Sequence, residues 1–487
     1  KGIVKRGVTE LVTPGVSFND HVLERKRNNF LASVYHGKTA TGVALLDIST
    51  GEFYCAQGSA TYVQKLLQGM TPSELIFAKN QRALTEEYFP GDHAVYALDE
   101  WVYEYEFAHE RLITQFRTTN LKGFGIDGME AAIIAAGAIL QYLEATEHRE
   151  TGHITTISRI EEDRYVWLDR FTIRNLELVA AQHDGGVPLL QILDRTVTPM
   201  GGRLLRQWMV LPLRHKETID ERLRVVRRFH QDTDASDQLR EHLVQVSDLE
   251  RLISKVSAAR INPRELNQLR RSLEAILPVR EWLLAQEQQE LSAMGRTIDP
   301  CTAILERIAR ELKADAPMLV NQGGVISDGV NAELDELRAI AFSGKDYLVQ
   351  VQQREITRTG IQSLKISYNK VFGYYLEVSN ANKDKVPADW IRKQTLVNAE
   401  RYITEELKVY EEKILHAEEK LQVIEQRMFS ELVQATAEHL GAIQQNARTV
   451  AALDCLLSFA VVAVTNRYAL PVISDGTAIT IKAGRHP

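Results

Sequence analysis

The sequence predicts a multidomain α+β protein. An α/β domain comes first, then a mainly α-helical body, then long coiled-coil-like helices with a small β unit at their tip. Three patterns predict this. Strand-like segments precede alternating helix and strand between Phe30 and Glu147. After His153 the apolar residues recur at helical spacing. Two helical seams then flank a pair of segments that alternate apolar and polar residues.

Bulk properties set the frame. A chain of 487 residues corresponds to roughly three to four domains. Its hydrophobic fraction of 44% and charged fraction of 25% are those of an ordinary globular protein. The net charge of −7 excludes a chain that binds nucleic acid through its overall field, so any such surface must be a local patch. Cys55, Cys301 and Cys455 are far apart and form no C-x-x-C pair, which argues against a disulfide framework or structural zinc and fits a reducing, cytoplasmic setting. The longest apolar run, Leu453 to Val464, is interrupted by Asp454 and Ser458 and reads as a buried helix rather than a membrane span. No signal peptide is visible and the first residue is Lys1, so the sequence is expected to be part of a longer chain.

The elements follow in order. Residues 1–16 read as a polar, basic linker ending in Thr13-Pro14-Gly15. Phe30 to Tyr35 and Thr41 to Ile48 read as strands around the turn His36-Gly37-Lys38, with a further strand from Gly51 to Tyr54. A helix is expected from Ala60 to Gly69, a short strand from Glu74 to Phe77, and an alanine-rich helix from Met129 to Glu147. In the helical body, Leu249, Leu252, Ile253 and Val256, and likewise Leu266, Leu269 and Leu273, mark amphipathic faces. The first seam is Leu334, Leu337, Ala341, Gly344, Leu348 and Val351; the second runs Ile403, Leu407, Tyr410, Ile414, Ala417, Leu421, Ile424 and Met428. A helix from Ala399 to about Leu440 would be about 60 Å long, too long for one globular core, so the two helices are expected to run antiparallel as a stalk.

Between the seams, Leu364 to Tyr368 and Tyr374 to Val378 alternate as strands, with Asn369 and Gly373 expected to supply the turn. From Gln362 to Tyr402 seven basic residues stand against four acidic ones, a local excess of +3 in a chain of −7. Tyr368, Phe372, Tyr374, Tyr375, Trp390 and Tyr402 are interleaved with them.

Several stretches resemble the bacterial MutS family of DNA mismatch repair proteins. They are Leu193-Asp-Arg-Thr-Val-Thr-Pro-Met-Gly-Gly-Arg-Leu-Leu-Arg-Gln-Trp-Met-Val-Leu-Pro-Leu213, Asp248-Leu-Glu-Arg-Leu252, Asn262-Pro-Arg-Glu-Leu266, Gly323-Gly-Val-Ile-Ser-Asp-Gly329, Tyr368-Asn-Lys-Val-Phe-Gly-Tyr-Tyr375 and Arg392-Lys-Gln-Thr-Leu-Val-Asn-Ala-Glu-Arg-Tyr402. The departures are small: Ile173 where the family usually has Arg, and Val16 where it usually has Thr. The resemblance implies a linker at 1–16 and a ribonuclease-H-like connector domain at 17–148. It implies the first part of a core domain at 149–345, the end of an ascending lever at 346–361 and a clamp at 362–402. A descending lever with the core return would occupy 403–480, and 481–487 would be the stub of an ATPase domain. The mismatch-reading domain and the ATPase are expected to lie outside this sequence. For the whole protein the resemblance implies a homodimer that encloses double-stranded DNA, uses ATP, ADP and Mg²⁺, and recruits a MutL-type protein. No membrane association is expected, nor any cofactor in this portion.

The candidate DNA contacts are Lys383 and Lys385 in one loop and Arg392, Lys393, Thr395 and Asn398 in another, with Lys370 and Asn369 as outlying candidates. Such side chains grip phosphates without reading sequence. The competing reading is a solvated charged face. The aromatics are expected to form the small core of the tip rather than to stack on bases. A mismatch reader of the Phe-x-Glu type occurs only as Phe429-Ser-Glu431, within the long returning helix, where packing is the better reading. Residues 32–39 approach a phosphate-binding loop but have Ala32 for the first glycine and lie between two strands. Asp47 resembles the first carboxylate of a ribonuclease-H-like site but has no convincing partners for two-metal chemistry. No catalytic residue is assigned. The rival functions are a structural coiled-coil stalk of the chromosome-organising type and a ribonuclease-H-like nuclease.

Overall fold

The computed structural model describes residues 10–89, 94–369 and 373–486, the side chains of 342–346 excepted. It divides into two compact units. One comprises residues up to 261 with 265–305 and 433 onward; the other comprises 262–264 and 306–432.

The first unit contains a six-stranded sheet. Its strands are β1 (Leu31–His36), β2 (Thr41–Asp47), β3 (Glu52–Gly58), β4 (Glu74–Ala78), β5 (Ala94–Leu98) and β6 (Ser158–Arg159), in the order β5-β4-β1-β2-β3-β6. β2 pairs antiparallel with β1 and β3, while β4 is parallel to β1, β5 to β4 and β6 to β3. Every residue of β2 is buried because both faces of the sheet are covered. The period of two sends Leu31, Ala44 and Leu46 to one face, against Ile133, Ala136 and Ile139 of the helix Glu130–Ala145. Ala32, Val34, Val43 and Leu45 go to the other face, against Val63, Leu66 and Leu67 of the helix Ala60–Met70. That second helix starts where the Ser59 hydroxyl accepts the Tyr62 N–H at 3.1 Å.

The helical body of this unit centres on Leu440–Asn466, which packs against the helices Pro199–Val210, Lys216–Gln231 and Leu249–Ser257. Leu440–Asn466 is the one helix among the described residues long and apolar enough to cross a membrane, and 67% of its most apolar stretch is buried inside the protein. The Leu193–Leu213 signature has a local physical basis. Thr198 caps the helix Pro199–Val210 by accepting the Gly201 N–H at 3.0 Å, and Pro199 opens it. Buried Asp454 accepts the Thr198 N–H at 2.8 Å and its hydroxyl at 2.7 Å. Arg222 lies 3.4 Å from the Trp208 ring centroid. Leu249, Leu252, Ile253, Val256, Leu266, Leu269 and Leu273 are all buried, as their spacing predicts. The three cysteines are buried and unbridged.

In the second unit an outbound helix, Ala332–Thr359, and a return helix, Glu405–Ala437, bear the two seams. Leu334, Ala341, Leu348 and Val351 are buried on the first, and Leu407, Ile414, Ala417 and Ile424 on the second. Contacts ascend one helix as they descend the other. Arg338 meets Glu425 at 2.6 Å, Tyr347 stacks on Tyr410, and Arg354 pairs with Glu406. The helices therefore run antiparallel.

The return helix starts at Glu405 rather than at the expected Ala399. Residues Ala399–Ile403 instead form β10 of a second, four-stranded sheet. Its other strands are β7 (Lys365–Asn369), β8 (Gly373–Ser379) and β9 (Ile391–Thr395), and the order is β7-β8-β10-β9 with every pair antiparallel. The preceding pattern looks helical because Ile403 falls in phase with the seam, but β8 and β9 both satisfy their backbone groups through β10.

Candidate nucleic-acid interface

The tip sheet has its own core. Leu376, Val378, Trp390, Tyr402 and Ile361 pack with Leu348, Leu407 and Ile414 of the two helices. Trp390, Tyr402 and Tyr375 are each at most 6% exposed, so these aromatics are core, as expected; Tyr368 is the exception at 47%. Phe372 lies outside the described residues. Gly373 begins β8 with φ of +77°, and a side chain there would overlap the Glu411 carboxylate.

Six of the candidate DNA contacts lie on adjoining parts of the tip: a 3₁₀ helix, a strand and a turn. Lys383 and Lys385 lie in the short 3₁₀ helix Asn380–Lys385, and Arg392, Lys393 and Thr395 lie on β9, an edge strand. Asn398 is in the β9–β10 turn. One residue, absent from the sequence-based candidates, ties the two loops. The Asn380 N–H donates to the Asn398 carbonyl at 3.2 Å, and its side-chain amide donates to the Val397 carbonyl at 2.8 Å. Lys383, Lys385, Arg392, Lys393, Thr395 and Asn398 are all exposed. Asn369 ends β7 opposite Gly373, so it is a strand residue rather than the turn itself. Lys370 lies outside the described residues.

The charges at this tip are not equivalent. Arg392 donates to Glu400 at 3.2 Å. The Tyr402 hydroxyl also donates to Glu400, and this bond, with the nearby Arg392 charge, holds the Glu400 carboxyl below its ordinary range despite partial desolvation. Among the described residues no ion pair or hydrogen bond engages the ammonium groups of Lys383, Lys385 or Lys393.

Other chemistry considered from sequence is occupied by structure. The Asp47 carboxylate is buried and takes hydrogen bonds from the Ser49 hydroxyl at 2.7 Å and from the Asn28 amide and Asn29 N–H at 3.1 Å. One oxygen closes the β2–β3 turn and the other holds the segment that leads into β1. Residues 32–39 run along β1 into the β1–β2 turn, with no helix N-terminus behind them. Phe429 is 5% exposed within the return helix. Among the described residues no group of three or more His, Cys, Asp or Glu side chains is arranged to hold a metal ion.

Sequence reasoning missed a buried charge cluster in the first unit. Arg203 donates to both Asp248 oxygens at 2.7 Å and to Glu250 at 2.6 Å. Burial pushes the Glu250 carboxyl up to about 7, with Arg203 opposing the shift and Glu52 and Asp248 adding to it. With Tyr54 and Arg448, Arg203, Glu52 and Glu250 line a cavity of about 310 Å³. The available signal was Arg203 inside an otherwise apolar, glycine-rich helix start.

Comparison with known proteins agrees with this architecture. Residues 171–460 match the family model MutS domain III, and residues 29–155 match MutS domain II. Curated relatives called DNA mismatch repair protein MutS align over the whole chain. The protein from Cytophaga hutchinsonii is 59% identical over 487 residues, 100% of this chain and 57% of its own length. The one from Bacteroides thetaiotaomicron is 54% identical, with 100% of this chain and 56% of its own length aligned. The one from Flavobacterium psychrophilum is 51% identical over the same shares. The chain thus spans a little over half the length of these relatives.

Proposed function

The chain belongs to the MutS family, and from that premise we propose that it grips duplex DNA, without reading sequence, through the sheet at the tip of its two long helices. The carrying observation is the set of exposed lysines Lys383, Lys385 and Lys393, unpaired among the described residues, on a 3₁₀ helix and on β9, whose following turn Asn380 ties to that helix. Phosphate contacts of this kind position a protein on DNA and carry no sequence information. The aromatics that could have stacked on bases are mostly used as core.

The long antiparallel helices serve as levers, coiled-coil-like in their 4-3 seams, that transmit movement between the DNA-holding tip and an ATPase domain of the longer protein. ATP or ADP with Mg²⁺ would act in that domain. The strand order β5-β4-β1-β2-β3, with three antiparallel strands followed by two parallel ones, supports reading 17–148 as a ribonuclease-H-like connector. That connector offers a surface for a MutL-type protein. The assembled protein is a homodimer working in DNA mismatch repair in the cytoplasm.

Neither rival fits as well. A purely structural stalk has no use for an unpaired basic face on a folded tip. A ribonuclease-H-like nuclease needs a metal-facing carboxylate, and both oxygens of Asp47 accept hydrogen bonds, one from Ser49 of its own turn and the other from Asn28 and Asn29 before β1.

Fluorescence anisotropy with unrelated duplex sequences tests the proposal. The parent chain is expected to bind them with similar affinity and to lose affinity steeply as salt rises. Lys383→Ala with Lys393→Ala should weaken all of them alike. A double variant that binds like its parent would remove the tip from the interface.

A further inference from the structure

The basic residues of the tip fall into two kinds. Each arginine there is held by a carboxylate. Arg392 pairs with Glu400 at 3.2 Å, Arg401 with Glu377 at 3.0 Å, and Arg358 with Asp389 at 2.9 Å. Arg401 is further fixed by Gln394 at 2.9 Å and lies 4.4 Å from the Tyr375 ring centroid. The lysines of the two loops have no such partners among the described residues.

Glu400 is the informative member. Strand alternation on β10 turns it to the same side as Tyr402, and its side chain is only 11% exposed whereas that of Arg392 is 61% exposed. One Glu400 oxygen accepts the Tyr402 hydroxyl and the other accepts Arg392. A carboxylate held from beneath in this way is fixed in place. It lies under the cationic strand that faces outward and next to Lys383, whose charge it also feels. A purely structural need would be met by a neutral glutamine, which could equally accept from Tyr402.

We propose that Glu400 is a built-in attenuator of duplex affinity. It neutralises Arg392 within the phosphate-gripping face, so that Lys383, Lys385 and Lys393 carry the electrostatic grip. The inference rests on the duplex-binding reading above and assigns its strength to particular residues. A face with fewer free cations releases fewer DNA counterions, so it binds less tightly and slides more readily.

Salt titrations of duplex binding by the whole chain test this, with thermal melts to verify folding. The slope of log affinity against log salt should become shallower by about 0.9 for each of Lys383→Ala and Lys393→Ala. Glu400→Gln keeps the Tyr402 acceptor and releases Arg392. It should bind more tightly than the parent and steepen the slope by about 0.9. Arg392→Ala combined with Glu400→Gln removes the pair as a neutral unit and should leave both affinity and slope at parental values. If that neutral double variant loses slope as the lysine variants do, Arg392 is a working phosphate contact and the inference is overturned alone. If Glu400→Gln binds no more tightly than the parent, it is likewise overturned. A parent chain with no salt-dependent duplex binding overturns the underlying reading, and the attenuator falls with it.

Discussion

Arg203 sits among carboxylates that cannot all ionise without cost. It satisfies Asp248 through two hydrogen bonds and Glu250 through one, and it also donates to the Arg25 carbonyl at 2.9 Å. Its charge holds Asp248 below the ordinary carboxylate range against burial. One guanidinium does not suffice for Glu250 and Glu52 as well. Burial raises both carboxyls; the charge of Asp47 adds to the rise at Glu52, and those of Glu52 and Asp248 add to it at Glu250. The sign of the pH effect follows. Glu250 binds its proton more tightly folded than unfolded, so its contribution to stability is fully present below the ordinary carboxylate range. That contribution is lost as pH rises toward about 7. Glu250→Gln mimics the protonated form. Between pH 5.5 and pH 8 the melting temperature of the parent should therefore fall more than that of Glu250→Gln, as read by scanning fluorimetry. Parallel curves would show that this carboxyl does not titrate in that window.

At the scale of elements, one close approach sets the packing of the first sheet. Gly42 on β2 lies directly beneath the start of the helix Glu130–Ala145, and a Cβ there would overlap the backbone of Ala131 and Ala132. The Gln57 side chain accepts the Ala131 N–H at 2.9 Å, pinning the helix start over β3. Gly42→Ala must therefore push helix and sheet apart and should cost about 1–3 kcal/mol, measurable as a lower urea midpoint with an unchanged m-value. The elements that were legible in the sequence are those with a clear apolar pattern. β1 and β2 read as short, largely apolar runs bounded by turn residues, the helix Ala60–Met70 shows helical spacing, and Leu334, Ala341, Leu348 and Val351 of the first seam and Leu407, Ile414, Ala417 and Ile424 of the second are buried. β9 was not legible because Ile391, Arg392, Lys393 and Thr395 are all exposed, so no inner face marks the strand. β10 was not legible because its inward positions are Glu400 and Tyr402, and a charged residue at an inner position breaks the apolar alternation. The candidate site was legible as a local charge excess. Which cations remain free was not, since the Arg392–Glu400 pair depends on a register shift between β9 and β10 at Arg401 and Tyr402.

For the whole molecule, the distribution of charge matters more than its sum. The chain carries −7 overall, yet Lys383, Lys385 and Lys393 of its tip are exposed, with no ion pair or hydrogen bond to their ammonium groups among the described residues. On the duplex-binding reading proposed above, an acidic body would repel DNA generally, confine binding to the tip and make it sensitive to salt. A mismatch preference needs something further, an aromatic wedge free to enter the base stack and a polar group to read the displaced base. The sole Phe-x-Glu of the sequence cannot serve, because Phe429 is packed at 5% exposure in the return helix. Phe171 is 65% exposed but lies beneath the Arg174 guanidinium, 5.6 Å from it, and has no carboxylate two residues on. The chain of 487 residues is therefore expected to bind matched and singly mismatched duplexes of equal length with the same affinity. A working reader is worth about 1–3 kcal/mol per base pair, a difference of at least about fivefold, well within the resolution of a competition titration. A competition in which the mismatched duplex wins by that margin would require a reading side chain elsewhere on the chain. Phe171 would then be the first residue to replace.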